Sequence, residues 1–430
     1  MEIKNFSYRP MYQKLAEASE VQDERIDEFA QAIQEHYQIR DEELGDPSVA
    51  SPSEIVAVGR IVSDSLEGRL NAQSVLLESS RMTGGGARTP LKLDAVSSFA
   101  FFPGQIVAVR GTNSSGNYFA VSQILTPPQL PVASSPPDEL AETAERLEAG
   151  PVSIFIASGP YTTDDNLLFE SLDAICDKAA AQQPDVVILT GPFIDSEHPL
   201  VRDGDFDLES VDETQGGTLE DLFRERISRR IRRITNSIVI LIPSLRDAVS
   251  KHLAYPQEGF RKKTLDLPPN AKCLPNPSMF SLNEIVFAVS TADILFHLSR
   301  EETTRSPAET NPPARLTSHI LTQRSFYPLF PPPEGEKLPR GVSSVSIDVP
   351  HSRLFDLVNG TPDVLLLPSA LGGFAKVVEG VVAVNPGSCS KRMGAGTYVE
   401  MIVEPPKAAG GKEGVAHRVF ERARVEVVRV

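Results

Sequence analysis

Residues 186–195 read VVILTGPFID: an apolar run that ends in Gly191, with Asp195 four positions on. A strand ending in Gly-Asp-x-x-Asp hands carboxylates to a pair of metal ions, which can turn water on a phosphate ester. Asp195 keeps that spacing, but Pro192 stands where the first aspartate would be. No other motif supplies a replacement chemistry. The seven histidines (His36, His198, His252, His297, His319, His351 and His417) form no H-E-x-x-H pair and no local Ser-His or Cys-His arrangement. Cys176, Cys273 and Cys389 lie far apart with no C-x-x-C, which argues against a disulfide framework or a local zinc site and suits a reducing compartment. Gly84-Gly85-Gly86 lacks the Lys-Ser/Thr of a phosphate loop, and LGGFAKVVEG at 371–380 lacks dinucleotide spacing. No cofactor is expected.

A chain of 430 residues suggests two domains. No apolar run reaches the length of a membrane span, and MEIKNFSYRP lacks a signal-peptide core. The sequons at Asn113 and Asn359 are then chance matches. A net charge of -16 should repel nucleic acid over most of the surface, so a role near DNA implies that something else holds the DNA.

The elements that would position these residues follow from periodicity. Ile26, Phe29, Ile33 and Tyr37 recur at helical spacing after Ser19, as expected of a helix packing on its own protein rather than on a partner. Between 53 and 126, short β-branched runs separated by turn residues predict a small closed barrel, and FFPGQIVAVRGTN fits an OB-fold strand and turn. From Glu54 to Leu125 six basic residues face five acidic ones, which leaves no basic groove for single strands. Phe99, Phe101 and Phe102 are therefore read as core or interface. A Pro-rich stretch and an acidic helix follow, and from Val152 strands and helices alternate as in a layered α/β domain. The expected division is an N-terminal helical segment (1–45), an OB-fold domain (46–130), a linker (131–150) and an α/β domain (151–430). Polar interruptions near 201–217 and 300–315 read as surface loops. The arginines between Arg224 and Arg233 read as a solvated face balancing acidic residues at 203–213, with docking of an acidic partner as the second choice. SFYPLFPPP at 325–333 is the apolar candidate for a partner contact, weighed against a loop capping its own domain.

The strand ends of the α/β domain can be laid over the calcineurin-like phosphoesterases, which carry D-x-H, G-D-x-x-D, G-N-H-D, a lone His and G-H-x-H in that order. IASGPY puts Gly159 and Tyr161 in the first motif; Pro192 and Asp195 fall in the second. IPSLRDA puts Leu245 and Arg246 in the third; ILFHL offers His297 to the fourth; LLLPSAL puts Ser369 and Leu371 in the fifth. One of seven expected ligands remains, and Arg246 adds positive charge, so the metal site is expected to be gone. The predicted fold is an α/β phosphoesterase-like layered domain plus an all-β OB-fold domain.

That pairing resembles the B-subunits of eukaryotic replicative DNA polymerases, and the wording favours the polymerase alpha-primase branch. RPMYQKL, FFPGQIVAVRG, SGPYTTDDNL, LTGPFID, IPSLRDA followed by YPQ, STADILFHLSREE, YPLFPP and VNPGSCSKRMGAGTYVEM carry the resemblance. It implies a non-catalytic scaffold in the nucleus. The implied partners are the C-terminal domain of the polymerase alpha catalytic subunit and, through the complex, the primase subunits, with at most weak direct nucleic-acid contact and no membrane. The family also has an N-terminal helical domain, expected to be missing because this sequence begins almost at the barrel. Two alternatives stand beside this reading: single-stranded DNA binding through Phe101 and Arg110 of the barrel, and a residual phosphodiesterase around Asp195 and His297.

Overall fold

The computed structural model describes residues 2–64, 68–146, 150–208, 217–358, 360–406 and 414–430. Leu15–Tyr37 is a helix that ends where Gln38 turns into the left-handed region. Its buried residues are Ile26, Phe29 and Ile33, which pack on Val56, Val58, Ile106 and Ala108 of the barrel; Tyr37 is exposed. The spacing of three and four residues lays these side chains on one stripe, so the helix covers one outer face of the barrel.

The barrel itself is closed by five strands in the order Ser51–Ser63, Val75–Glu78, Arg88–Lys92, Phe119–Leu125 and Ile106–Asn113. Closure leaves no free edge. Phe99 and Phe101 join its core, while Phe102 lies fully buried in the helical core of the second domain, with its ring edge-on to His319. None of the three rings is available to stack on a base.

The second domain has four layers. A six-stranded sheet runs in the order Ala271–Cys273, Ile238–Ile242, Val186–Thr190, Val152–Ser158, Thr397–Val403 and Ala423–Arg429. A five-stranded sheet runs Ser278–Leu282, Ile285–Val289, Val364–Leu366, Val381–Asn385 and Phe374–Val378. Ile154, Ile188, Ile240, Phe287, Leu366 and Val399 fill the space between the sheets. Glu170–Gln182 and the arginine-bearing helix cover the outer face of the first sheet, and Ile294–Glu301 and Pro312–Thr322 cover that of the second. Central strands buried on both faces explain the near-continuous runs VVILT and VLLL.

The fold bears on three further expectations. The 300–315 stretch is a loop only in part: residues 306–311 lie outside helix and strand and are mostly exposed, but Thr303–Arg305 pairs antiparallel with Phe99–Phe101 and ties the two domains together. Near 201–217, Pro199–Asp203 is helical, and residues 209–216, like Asn359, lie outside the described residues. SFYPLFPPP caps its own domain, the reading weighed against a partner contact, since Phe326, Tyr327 and Leu329 are buried in its core. Phe330 donates its N–H to Pro103 O at 3.0 Å, and a Cβ on Gly104 (φ +92°) would meet Phe330 N at 2.4 Å, so the two backbones touch where only glycine fits. Gln323 completes the joint: its Oε1 accepts from Ile106 N at 2.8 Å and its Nε2 donates to Ile106 O at 2.9 Å.

Candidate functional site

Loops at the ends of strands from both sheets line a cleft of about 470 Å³. Gly159, Pro192, Asp195, Leu245, Arg246, Ser369 and Leu371 all face it; Tyr161 and His297 do not line it. Tyr161 is fully buried, stacked on Phe193 at 5.3 Å, and shares its hydroxyl hydrogen between Ala157 O and Thr190 O. His297 sits inside the helix Ile294–Glu301, fully buried, with Nδ1 2.7 Å from the Tyr327 hydroxyl. Burial pushes its pKa down to about 4. The expected partnership of Asp195 with His297 is therefore not made. A local signal for this existed: Asp293 heads the apolar spacing Ile294, Leu295, Leu298 as an N-cap, so His297 belongs to a buried helix face.

The nearest partner of Asp195 is Arg246. Arg246 Nε donates to Asp195 Oδ1 at 3.1 Å and Nη2 to Oδ2, so the pair is bidentate, and Nη1 donates to Gly341 O. Glu197 accepts from Gly341 N at 3.2 Å and from the Ser343 hydroxyl at 2.6 Å. Together they hold residues 341–343 against the cleft.

Three polar residues that the motif overlay passed over fasten the loops to one another. Asp247 is buried and accepts from Phe193 N, Ile194 N and Ser244 N, joining the second strand end to the third. Burial pushes its carboxyl up to about 7 against these three donors. Asp293 accepts from Phe296 N, Ala370 N and the Ser369 hydroxyl, joining the fourth to the fifth; burial raises its pKa as well. Asn385 accepts from Ser369 N and Gly387 N and donates to Leu371 O.

The donor set does not fit a two-metal centre. Glycine, proline and leucine cannot ligate through side chains, and Asp195 already neutralises Arg246. Among the described residues no group of three His, Cys, Asp or Glu side chains is placed to hold a metal ion. The backbone has also closed in. A Cβ on Gly159 would lie 1.9 Å from Pro192 O, and one on Gly191 would lie 2.1 Å from Asp247 Oδ2. An aspartate no longer fits at position 159.

Elsewhere, one spatial constellation escaped the sequence. Asp363 Oδ2 lies 2.7 Å from His417 Nδ1, and His417 Nε2 lies 3.0 Å from Ser135 Oγ. The order is that of a nucleophile triad, but all three residues are buried, and Ser134–Ser135 pairs with Val415–Ala416. A triad serine needs open access to a carbonyl, so this one acts as a fastener for the linker. Burial raises the pKa of all three thiols, which keeps them protonated. The arginine helix is also occupied internally. Arg230 and Arg233 pair with Asp173, Arg233 with Asp177, and Arg232 with Asp266, while Arg226 donates to Asp207 O in the 203–213 stretch, of which 209–213 lie outside the described residues.

A closed β-barrel fused to an α-β-β-α sandwich, with a strand-end cleft rimmed by an ion pair and hydrogen bonds, defines a phosphoesterase-like fold in which the described residues offer no metal centre's donor set. The family model for the B-subunit of DNA polymerases alpha and epsilon matches residues 154–376, and the one for the OB domain of the DNA polymerase alpha B-subunit matches residues 19–127. The chain is 44% identical to the DNA polymerase alpha B-subunit of Schizosaccharomyces pombe over all of its own length and 74% of that protein. It is 38% identical to the Saccharomyces cerevisiae protein of that name, over 99% of this chain and 66% of that one, and 31% identical to the mouse protein, over 95% and 65%. The chain belongs to the B-subunit family of DNA polymerases alpha and epsilon.

Proposed function

We propose that the chain is a non-catalytic scaffold subunit of a nuclear DNA polymerase alpha-primase complex. It binds the C-terminal domain of the catalytic subunit and, through the complex, the primase subunits, so that strand initiation is supported by organisation rather than by chemistry. In this reading Gly159, Tyr161, Pro192, Asp195, Leu245, Arg246, His297, Ser369 and Leu371 are vestigial phosphoesterase positions. The observation that carries it is the Arg246–Asp195 pair: the one carboxylate that the motif overlay leaves in the cleft is spent on a cation of the same chain. Family membership and the joint formed by Gln323, Phe102 and Thr303–Arg305, which makes barrel and sandwich one surface, support it further.

Neither alternative gains a supporting observation. The barrel's phenylalanines are buried, and Asp195 and His297 do not meet. The test is co-expression with the C-terminal domain of a polymerase alpha catalytic subunit, followed by size-exclusion chromatography at high salt. A stable one-to-one peak is expected; two separate peaks would overturn the partner assignment. Metal-dependent cleavage of a generic phosphodiester by the purified chain, lost in D195A, would overturn the non-catalytic reading.

A further inference from the structure

At the mouth of the cleft a short hairpin, Ser390–Lys391 paired with Gly394–Ala395, carries Lys391, Arg392 and Met393 into solvent, Met393 at 83% exposure. Its base is stapled to the first strand-end loop: Cys389 N donates to Ser158 O at 2.7 Å, Ser390 N to Pro160 O at 2.8 Å, and Asp164 N to Arg392 O at 2.9 Å. A Cβ on Gly396 would lie 1.9 Å from Ser388 O, so the hairpin can form only with glycine there. The tip is thus held in place before anything binds.

Charge is distributed unevenly around this mouth. Arg340 on the facing loop is half exposed, with Asp164 at 3.7 Å, and its carbonyl accepts from Arg392 at 3.4 Å. Among the described residues no carboxylate lies within ion-pair distance of Lys391 or Arg392. The carboxylates deeper in are occupied: Asp195 by Arg246, Glu197 by Gly341 and Ser343, Asp293 by Phe296, Ser369 and Ala370. Positive charge therefore gathers at the exposed hairpin tip, at Lys391 and Arg392, while Asp164, Glu197 and Asp293 leave carboxylates on the cleft walls of a chain of net charge -16. Below it the walls are mixed: Pro160, Pro192, Leu245, Val345 and Leu371 supply aliphatic contacts among serines and charged side chains, and no aromatic side chain among the described residues lines the cleft.

We infer that this cleft and its hairpin form a docking site for an extended acidic peptide. Its carboxylates would meet Lys391 and Arg392, and an aliphatic side chain would enter between Leu245 and Leu371. A nucleotide or single strand fits less well, because nothing in the cleft can stack on a base. A short peptide that enters a preformed cleft escapes much of the ordering cost of binding. The inference stands apart from the identity of the subunit's main partner, because it concerns the isolated chain.

The test is fluorescence anisotropy of the whole chain with a labelled synthetic peptide alternating Asp or Glu with Leu or Val. Salt-weakened binding is expected, and it should fall roughly tenfold in K391E/R392E, as two exposed ion pairs would give. A photo-crosslinker at a leucine position should label cleft residues of the wild-type chain, a readout that needs no variant to fold. Absence of binding, binding indifferent to K391E/R392E, or crosslinks outside the cleft would overturn the inference. Displacement by inorganic phosphate, or equal capture of a single-stranded oligonucleotide, would overturn it in favour of a general anion site.

Discussion

Removing Arg246 tests whether the cleft is held together by its ion pair. The side chains of Arg246 and Asp195 are 16% and 9% exposed, and their contact is bidentate. Breaking a buried pair by deleting one partner costs about 3–5 kcal/mol, because the other charge is left unpaired in low dielectric. Exposed pairs are worth about 0–1 kcal/mol. The low exposure puts this pair nearer the buried limit, so R246A and D195N should each destabilise by about 2–3 kcal/mol. The double variant D195N/R246M removes both charges and should cost no more than about 2 kcal/mol, because no ion is stranded. The chain has no tryptophan, so urea unfolding would be followed by far-UV circular dichroism. Isothermal titration of R246A with manganese would show no binding, since freeing Asp195 restores one ligand beside Gly159, Pro192 and Leu245. Additive single and double variants would refute the coupling. Manganese uptake by R246A would refute the argument that the donor set is gone.

Other outcomes follow from single contacts. Gln323→Ala strands both the N–H and the C=O of buried Ile106 and should lower urea stability by about 2–4 kcal/mol and expose the joint between the domains to limited proteolysis. Gly159→Asp should not restore a ligand; the contact with Pro192 O should instead give insoluble or strongly destabilised protein, read by soluble yield and melting temperature. His297 has a folded pKa near 4 against an ordinary 6.5, so the unfolded chain takes up the proton first. The stability it contributes is full above about pH 6.5 and lost as pH falls towards 4, at up to ~1.4 kcal/mol per pH unit; H297Q should lack that component when unfolding is compared at pH 7 and pH 5. Ser135 should remain unlabelled by a fluorophosphonate probe, because its hydroxyl is closed in against His417.

What the sequence made legible is what short-range periodicity encodes. The stripe Ile26, Phe29, Ile33 announces its helix, the β-branched runs announce the barrel, and VVILT and its relatives announce doubly covered strands. The loop contents at Gly159, Pro192, Asp195, Leu245, Arg246, Ser369 and Leu371 were likewise local, and the structure gathers all seven around one cleft. The errors came from pairings distant in the chain. Thr-Thr-Arg at 303–305 has no apolar alternation, and it is a strand because Phe99–Phe101, some two hundred residues earlier, supplies its partner. For SFYPLFPPP the sequence left two readings open, and only the fold chooses the cap: Phe326 and Leu329 enter the core, and Phe330 N bonds to Pro103 O of the barrel loop. Asp247, Asp293 and Asn385 resemble ordinary surface polar residues, and only the fold shows that each bridges separate segments of the rim.

A metal centre holds the loops of such a fold together while it does chemistry, because ions bind ligands from several strands at once. A chain without those ions must hold the same loops by other means or lose the ordered cleft. Here Asp247 ties the second loop to the third, Asp293 the fourth to the fifth, and Arg246 reaches from Asp195 to Gly341. These contacts use backbone N–H groups that a buried loop end would otherwise leave unsatisfied. The result is a rigid rim, and rigidity is what a docking surface needs, since a surface already ordered loses little entropy on association. Arg246 is where the two readings meet: it stands at a ligand position of the motif overlay and also ties Asp195 to Gly341 across the rim.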